Sequence, residues 1–180
     1  MLLKSPDTCM LDWKIKNTTH HLEKLKRVLP WTPFKNTKRL TCSLGISYSY
    51  SGQTVFAHPF SIYPSIERLM ETINERLGTN LNSVLINYYP KGEYVGIGLH
   101  KDDEKDLVPN TPVVSISLGE SCDFILQDTY KGIPTERIVV PLHNSDVFVM
   151  GANCQKHYYH GIDYTFMEED RFSLTFRQFK

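Results

Sequence analysis

The fold is decided around one stretch, Gly98-Leu99-His100-Lys101-Asp102-Asp103-Glu104. His100 and Asp102 are two residues apart, so on an extended segment their side chains point to the same side. A second histidine would complete a set of two imidazoles and one carboxylate with open coordination positions, which is typical of non-haem Fe(II) sites. His160 is the candidate third ligand and His157 is its rival. We expect His160 on a strand that crosses the opposite sheet.

Short apolar runs separated by turn residues dominate the chain on both sides of this stretch, which indicates strands. The strand candidates are residues 83–89, the segment that leads into His100, 113–119, 122–126, 137–142, 146–150, a short piece ending at His160, and 172–177. This pattern is typical of an all-β sandwich or barrel. We predict a mainly β (α+β) double-stranded β-helix, or jelly roll, backed by one or two N-terminal helices.

Two segments have helical spacing. The first begins at Thr18, stops at Pro30 and has an apolar face of Leu22, Leu25, Val28 and Leu29. The second runs from Pro64 to the glycine cap at Gly78, with its apolar positions at Ile66, Leu69, Met70, Ile73 and Leu77. Residues 40–52 are predicted to form one strand, and residues 11–15 a short extended piece.

The chain has 180 residues, of which 41% are hydrophobic, enough for one buried core. Its net charge is zero, but residues 1–40 contain nine basic and only three acidic side chains. Either a polyanion docks on this basic segment or the segment is simply solvated. We therefore treat residues 1–37 as a basic N-terminal extension with a short helix and a candidate nucleic-acid wedge, and we expect residues 38–180 to form the domain that contains His100, Asp102 and His160.

The four cysteines are scattered and form no CxxC pair, which favours free structural thiols over disulfides or a zinc site. No apolar run approaches the roughly 20 residues that span a bilayer, and the N-terminus does not resemble a signal peptide. We expect an intracellular monomer with no membrane partner.

Aromatic residues suggest contacts to a planar ligand. Trp31 and Phe34 stand among prolines, either in an ordinary packed loop or as an apolar wedge that fills the gap left by a displaced base. Tyr48 and Tyr50 fall on one face of their strand, either as core filling or as a stacking platform.

The last strand places polar residues on one face, because Arg171, Ser173, Thr175 and Arg177 alternate with apolar residues. Two inward-facing arginines are unfavourable unless they meet an anion. That anion is either an acidic residue of the protein or a ligand carboxylate, which arginine binds through two parallel hydrogen bonds. We favour a dicarboxylate ligand.

Together these residues resemble the HxD…H…RxNxTxR signature of the AlkB family of Fe(II)/2-oxoglutarate dioxygenases, most closely its eukaryotic-type DNA alkylation-repair members. The matching residues are His100-Lys101-Asp102, His160 and the segment from Arg171 to Arg177. Residues 86–89 and 100–104, as well as Arg39 and the segment 48–52, also resemble that family. Ser173 departs from it, because the family has asparagine there.

The resemblance implies specific roles. Fe(II) would bind His100, Asp102 and His160. Arg171 and Tyr89 would hold the distal carboxylate of 2-oxoglutarate, with the other cosubstrate contacts from Asn87, Ser173 and Arg177. The residues expected around the flipped base are Arg39, Tyr48, Tyr50, Asp103 and Glu104, with Trp31 and Phe34 as candidate wedges.

The implied function is oxidative demethylation of N1-methyladenine and N3-methylcytosine in DNA, with Fe(II), 2-oxoglutarate and O2, yielding succinate and formaldehyde. A cationic base that cannot pair is easier to extrude from a duplex. Two alternatives stay open: the same chemistry on RNA or a protein side chain, and a non-catalytic nucleic-acid-binding jelly roll. In a eukaryotic host we expect the protein in the nucleus.

Overall fold

The computed structural model describes residues 7–16, 18–35, 37–50, 53–130 and 133–180. Seven strands form the larger sheet in the order β1-β11-β8-β13-β6-β3-β2. Their bounds are β1 Thr8–Met10, β2 Thr32–Pro33, β3 Leu40–Leu44, β6 Ser83–Tyr89, β8 Val113–Gly119, β11 Val147–Met150 and β13 Arg171–Arg177. All its pairings are antiparallel.

Four strands form the smaller sheet in the order β10-β9-β12-β7, and two more form a hairpin. The smaller sheet contains β7 Tyr94–His100, β9 Cys122–Tyr130, β10 Ile133–Leu142 and β12 Tyr158–Phe166. The hairpin contains β4 Tyr48–Tyr50 and β5 Gln53–Val55. The helices are α1 Thr18–Val28, α2 Pro64–Leu77 and α3 Ala152–His157, with a 3-10 turn at Phe60–Ile62. The predicted mainly β class with early helices is confirmed.

Two hydrophobic cores lie on the two faces of the larger sheet. On one face, α1 and α2 bury residues such as Leu25 and Ile73 against Phe172 and Phe176 of β13. On the other face, Phe148 of β11 packs in one cluster with strand residues of the smaller sheet. The polar side chains of β13 point into this second interlayer space, where the candidate site lies.

The helix α2 agrees with its predicted limits. Pro64 occupies the first turn, where its missing N–H is harmless. Gly78 ends the helix in the left-handed conformation at φ 62°, and Ile66, Met70 and Ile73 are buried. In α1, by contrast, Val28 is 39% exposed and does not belong to the buried face.

Several predicted limits were wrong. Residues 40–50 form two strands, because Gly45 turns the chain at φ +101° and a Cβ there would collide with the Asn82 carbonyl. The rest of that prediction, Ser51 and Gly52, lies outside the described residues. Residues 11–15 do not form a strand, although Trp13 packs against the core. The short strand in this part of the chain is β1, which ends at Met10. The predicted piece ending at His160 instead continues to Phe166 as β12.

His160 does not come from the opposite sheet, so that expectation was also wrong. Strand β12 pairs antiparallel with β7 inside the smaller sheet, and His160 is the register partner of His100. The ladder itself therefore brings the two imidazoles together.

Cys9 is exposed, whereas Cys42, Cys122 and Cys154 are buried, and all four are free thiols as predicted. Within the described ranges, no helix has the length and apolar character needed to cross a bilayer.

Candidate metal centre

Three side chains converge where β7 ends. His100 is the last residue of β7, Asp102 follows in the adjoining loop, and His160 lies on β12. One ligand atom from each lies within 4.8 Å of the others. Asp102 Oδ2 is 3.6 Å from His160 Nε2, and Asp102 Oδ1 is 4.0 Å from His100 Nε2. His157 is not part of this group.

The proton on His100 is fixed by the backbone. Its Nδ1 lies 2.9 Å from the Gly98 carbonyl oxygen, and a carbonyl only accepts hydrogen bonds. Nδ1 therefore donates, which leaves Nε2 as the ligand atom. Burial lowers the pKa of His160 to about 4, so its imidazole is neutral near pH 7.

A divalent cation fits these donors. Asp102 is 4% exposed, and its Oδ2 has no hydrogen-bond partner. An unpaired buried carboxylate oxygen is strongly unfavourable unless a cation meets it. Burial alone would raise the pKa of Asp102, but the Arg177 guanidinium, together with His160 and His100, outweighs burial and holds it below its usual range. Two imidazoles and one carboxylate match the donor set of non-haem Fe(II) sites.

Arg177 is occupied by carboxylates of the protein. It donates from Nη2 to Asp102 Oδ1 at 2.5 Å and from Nη1 to Glu104 Oε1 at 3.1 Å. The sequence left open whether the inward-facing arginines meet an acidic residue of the protein or a ligand carboxylate. Arg177 meets acidic residues of the protein. Burial raises the pKa of Glu104, and Arg177 opposes that rise.

Arg171 differs from Arg177, although both come from β13. It is completely buried, and its Nε and Nη1 have no partner. Its guanidinium lies 4.6 Å from the Tyr89 ring centroid, and Nη2 is 3.4 Å from Ser117 Oγ. Among the described residues no carboxylate forms an ion pair with it, and the Tyr89 hydroxyl is also unpartnered. These donors are suited to hold an anion.

A short chain of buried polar residues leads from Arg39 to Ser173 of β13. Arg39 Nη1 donates to Asn87 Oδ1 at 3.0 Å, and Asn87 Nδ2 donates to Ser173 Oγ at 3.4 Å. Ser173, the departure from the family pattern, is thus still linked to Asn87.

An open cleft of about 230 Å³ leads from the surface to His100 and Asp102. Of the residues predicted to contact a base, Phe34, Arg39, Tyr48 and Glu104 line it. The Arg39 guanidinium lies 4.2 Å from the Phe34 ring centroid. This wall can contact both the face and the polar edge of a planar ligand.

Other predicted contacts lie elsewhere. The Trp31 ring lies 5.4 Å from the Tyr88 ring and 5.7 Å from the Phe172 ring, on the helix side of the larger sheet, and its indole N–H donates to the Lys26 carbonyl. That packing contradicts a wedge role for Trp31. Asp103 is exposed and does not line the cleft. The Tyr50 side chain lies outside the described part of the chain.

Two supporting residues were missed at the sequence level. Gln155 of α3 accepts a hydrogen bond from the Asp102 backbone N–H at 3.1 Å, which holds the ligand loop. Phe179 stacks on Tyr48 with ring centroids 4.4 Å apart. No spacing rule pointed to Gln155, whereas Phe179 directly follows the recognised β13 segment.

Comparison with known proteins agrees with this geometry. Residues 12–177 match the family model of the 2OG-Fe(II) oxygenase superfamily. Human DNA oxidative demethylase ALKBH2 is 33% identical over 140 residues, which are 74% of this chain and 52% of that protein. The chain therefore spans about half the length of this curated relative.

Two further matches are broader. Rat alpha-ketoglutarate-dependent dioxygenase alkB homolog 3 is 27% identical over 179 residues, covering 91% of this chain and 60% of that protein. The crystal structure of a 2OG-Fe(II) oxygenase family oxidoreductase from Burkholderia pseudomallei superposes with a TM-score of 0.67 at 16% identity. It covers 95% of this chain and 84% of that structure, and it supports the jelly-roll fold.

Proposed function

Because the chain belongs to the 2OG-Fe(II) oxygenase superfamily, we propose that it is an Fe(II)/2-oxoglutarate-dependent dioxygenase that demethylates N-alkylated bases in DNA. The observation that carries this proposal is the His100-Asp102-His160 group at the end of a cleft wide enough for a base. The relatives named as DNA oxidative demethylases supply the substrate class.

His100, Asp102 and His160 would hold the iron, and they are prepared for it before it binds. His100 presents Nε2 because Gly98 fixes its tautomer, and His160 is neutral because it is buried. Arg177 orients Asp102 by binding Oδ1, which leaves Oδ2 for the metal. In this role Arg177 is a positioning residue, and its Nε, which has no partner among the described residues, would serve the cosubstrate contact expected from the sequence.

Arg171 would bind the distal carboxylate of 2-oxoglutarate, supported by the Tyr89 hydroxyl. Its Nε and Nη1 have no partner among the described residues, so the guanidinium retains N–H donors for a carboxylate. Burial makes that pairing strong, because no water competes for the guanidinium. Asn87 and Ser173 are hydrogen-bonded to each other and line the same pocket as Arg171, so they would contact the same cosubstrate.

With 2-oxoglutarate and O2, bound Fe(II) supplies the oxidation: the keto acid becomes succinate and CO2, and the N-methyl group gains one oxygen. The resulting hemiaminal releases formaldehyde and the unmodified base. Phe34 and Arg39 would orient the base in the cleft, with N1-methyladenine and N3-methylcytosine as the expected substrates. The target base must be unpaired or flipped to reach the buried His160.

The test is anaerobic loading with Fe(II) and 2-oxoglutarate, followed by O2 and matched N1-methyladenine DNA and RNA oligonucleotides. Base mass is measured by mass spectrometry, and metal binding is measured separately with Mn(II). We expect methyl loss from DNA with the natural protein and with His157→Ala, and none with His160→Ala, which should also lose Mn(II).

Two results would contradict the proposal. Faster methyl loss from RNA would favour the RNA alternative. A protein that binds oligonucleotides but neither Mn(II) nor Fe(II) would favour the non-catalytic alternative.

A further inference from the structure

Three aromatic side chains form an exposed surface beside the cleft, which we call the aromatic shelf: Tyr94, Tyr164 and Phe166. They are 65%, 48% and 53% exposed, respectively. Phe166 is the register partner of Tyr94, and the ring centroids of Tyr94 and Tyr164 are 6.0 Å apart. Large exposed apolar side chains that are grouped in this way mark interaction surfaces.

The aromatic shelf is continuous with the cleft, because Tyr164 also lines the cleft. Between Tyr94 and His100, β7 has a glycine at residue 98, which lines the same cleft. No atom lies within 4 Å of the position that a Cβ of Gly98 would take. A polymer that enters the cleft can therefore pass over the backbone at Gly98, where no side chain projects, and contact the aromatic shelf.

The charges next to the shelf are already paired. Asp163 precedes Tyr164 and forms an ion pair with Arg137 at 2.5 Å. Glu93 precedes Tyr94 and lies 3.7 Å from Lys38. A surface of uncharged rings with neutralised neighbours suits base faces better than phosphates, because phosphate binding requires available cations.

We propose that the aromatic shelf stacks unpaired bases next to the target nucleotide, so that single-stranded nucleic acid is the preferred substrate. This inference rests on the proposed function. Every base has an aromatic face, so such stacking tolerates any sequence. In a duplex those faces are covered by neighbouring base pairs, so the shelf adds affinity only for single strands.

The test compares the Tyr94→Ser/Phe166→Ser double variant, whose two residues do not line the cleft, with the Ile133→Ser/Val139→Ser double variant. Ile133 and Val139 are exposed on β10, at the far edge of the same sheet. Fluorescence anisotropy measures the binding of an unmethylated, mixed-sequence DNA oligonucleotide, alone and as a duplex, without iron or 2-oxoglutarate. We expect the shelf variant to weaken single-strand binding at least about fivefold, while the β10 variant binds like the natural protein.

Duplex affinity and the salt dependence of single-strand binding should stay the same in the shelf variant, because no cation is removed. Equal weakening for single strand and duplex, no weakening, or equal weakening in the β10 variant would overturn the proposal. So would a dimer in sedimentation that the shelf variant abolishes, because the shelf would then bind a second copy of the chain.

Failure of the shelf and failure of catalysis are separable. The binding measurement needs no turnover, so it stands even if no demethylation occurs. Conversely, a methylated mononucleotide has no flanking base to stack, and both variants should turn it over at the natural rate. A loss there would place the defect in the catalytic centre and not on the shelf.

Discussion

Arg177 and Asp102 form a buried, hydrogen-bonded ion pair, with Nη2 2.5 Å from Oδ1. The same guanidinium also binds Glu104, so one cation serves two buried carboxylates. Removing one member of a buried group of charges is strongly destabilising, because it leaves the other charges buried without compensation. The pair therefore links the stability of the fold to the orientation of a candidate iron ligand.

Replacing Arg177 by methionine should destabilise the protein by about 3–5 kcal/mol, because it leaves two buried carboxylates without their partner. Urea denaturation at neutral pH measures this change. Arg137→Met is the matched control: its ion pair with Asp163 is equally short but exposed, so its loss should stay within about 1 kcal/mol. Similar losses in the two variants would contradict the assigned role of Arg177.

Arg171→Met should have the opposite effect on stability. Arg171 is fully buried and has no carboxylate partner in the described part of the chain, so removing its charge should leave the free energy of unfolding unchanged or raise it. The affinity for 2-oxoglutarate should fall at least about 30-fold, as for other truncated buried charge pairs. Calorimetric titration with 2-oxoglutarate in the presence of Mn(II) measures this affinity. An unchanged affinity would place the cosubstrate elsewhere.

Asp146 should make stability sensitive to acid. Burial would raise its pKa, but hydrogen bonds from Lys14 and from the His143 backbone N–H outweigh burial and hold the pKa below its usual value. Because the folded pKa is the lower one, this contribution is complete above pH of about 4 and disappears as the pH falls toward the folded pKa.

We therefore expect Asp146→Asn to lose about 1–2 kcal/mol at pH 7, and this deficit should shrink below pH of about 4. Urea denaturation across this pH range measures the deficit. Asp123→Asn, at an exposed position of β9, is the control. A deficit that stays constant down to pH of about 3 would contradict the charge-based explanation.

Trp31 and Phe34 should respond differently to alanine. Trp31 packs against Tyr88 and Phe172, so Trp31→Ala should cost about 2–3 kcal/mol, somewhat below the range for fully buried aromatics. Phe34 lines the cleft, so Phe34→Ala should raise the KM for a methylated oligonucleotide and change the melting temperature little. Thermal melts and steady-state kinetics separate the two effects. A raised KM in Trp31→Ala alone would restore the wedge hypothesis for Trp31.

The elements predicted from sequence were those with a strong local pattern. Helix α2 has a proline start, a periodic apolar face and a glycine cap. Strand β6 is buried except at Leu85, and β13 alternates polar with apolar residues. The continuation of β12 was missed because residues 163–166 are all exposed and show no buried face. At Gly45, where φ is positive, a Cβ would collide with the Asn82 carbonyl. Asn82 is distant in sequence, so no local pattern reports this contact.

For the site, the sequence pattern indicated which side chains share a face but not their partners. Alternation along β13 correctly placed Arg171 and Arg177 together. Only the fold decides that Arg177 meets Asp102, 75 positions away, while Arg171 meets no carboxylate among the residues that the structure describes. Likewise, strand order and register, which local patterns do not report, make His160 a direct neighbour of His100.

Because His100 and His160 are register partners, metal binding would also depend on the correct alignment of β7 with β12. Side chains alternate along a strand, so a slip of one residue between β7 and β12 would turn one imidazole to the outer surface. A misaligned chain would then hold the ion too weakly to be stabilised by it. The time at which the metal binds during refolding would therefore report when these two strands reach their final alignment.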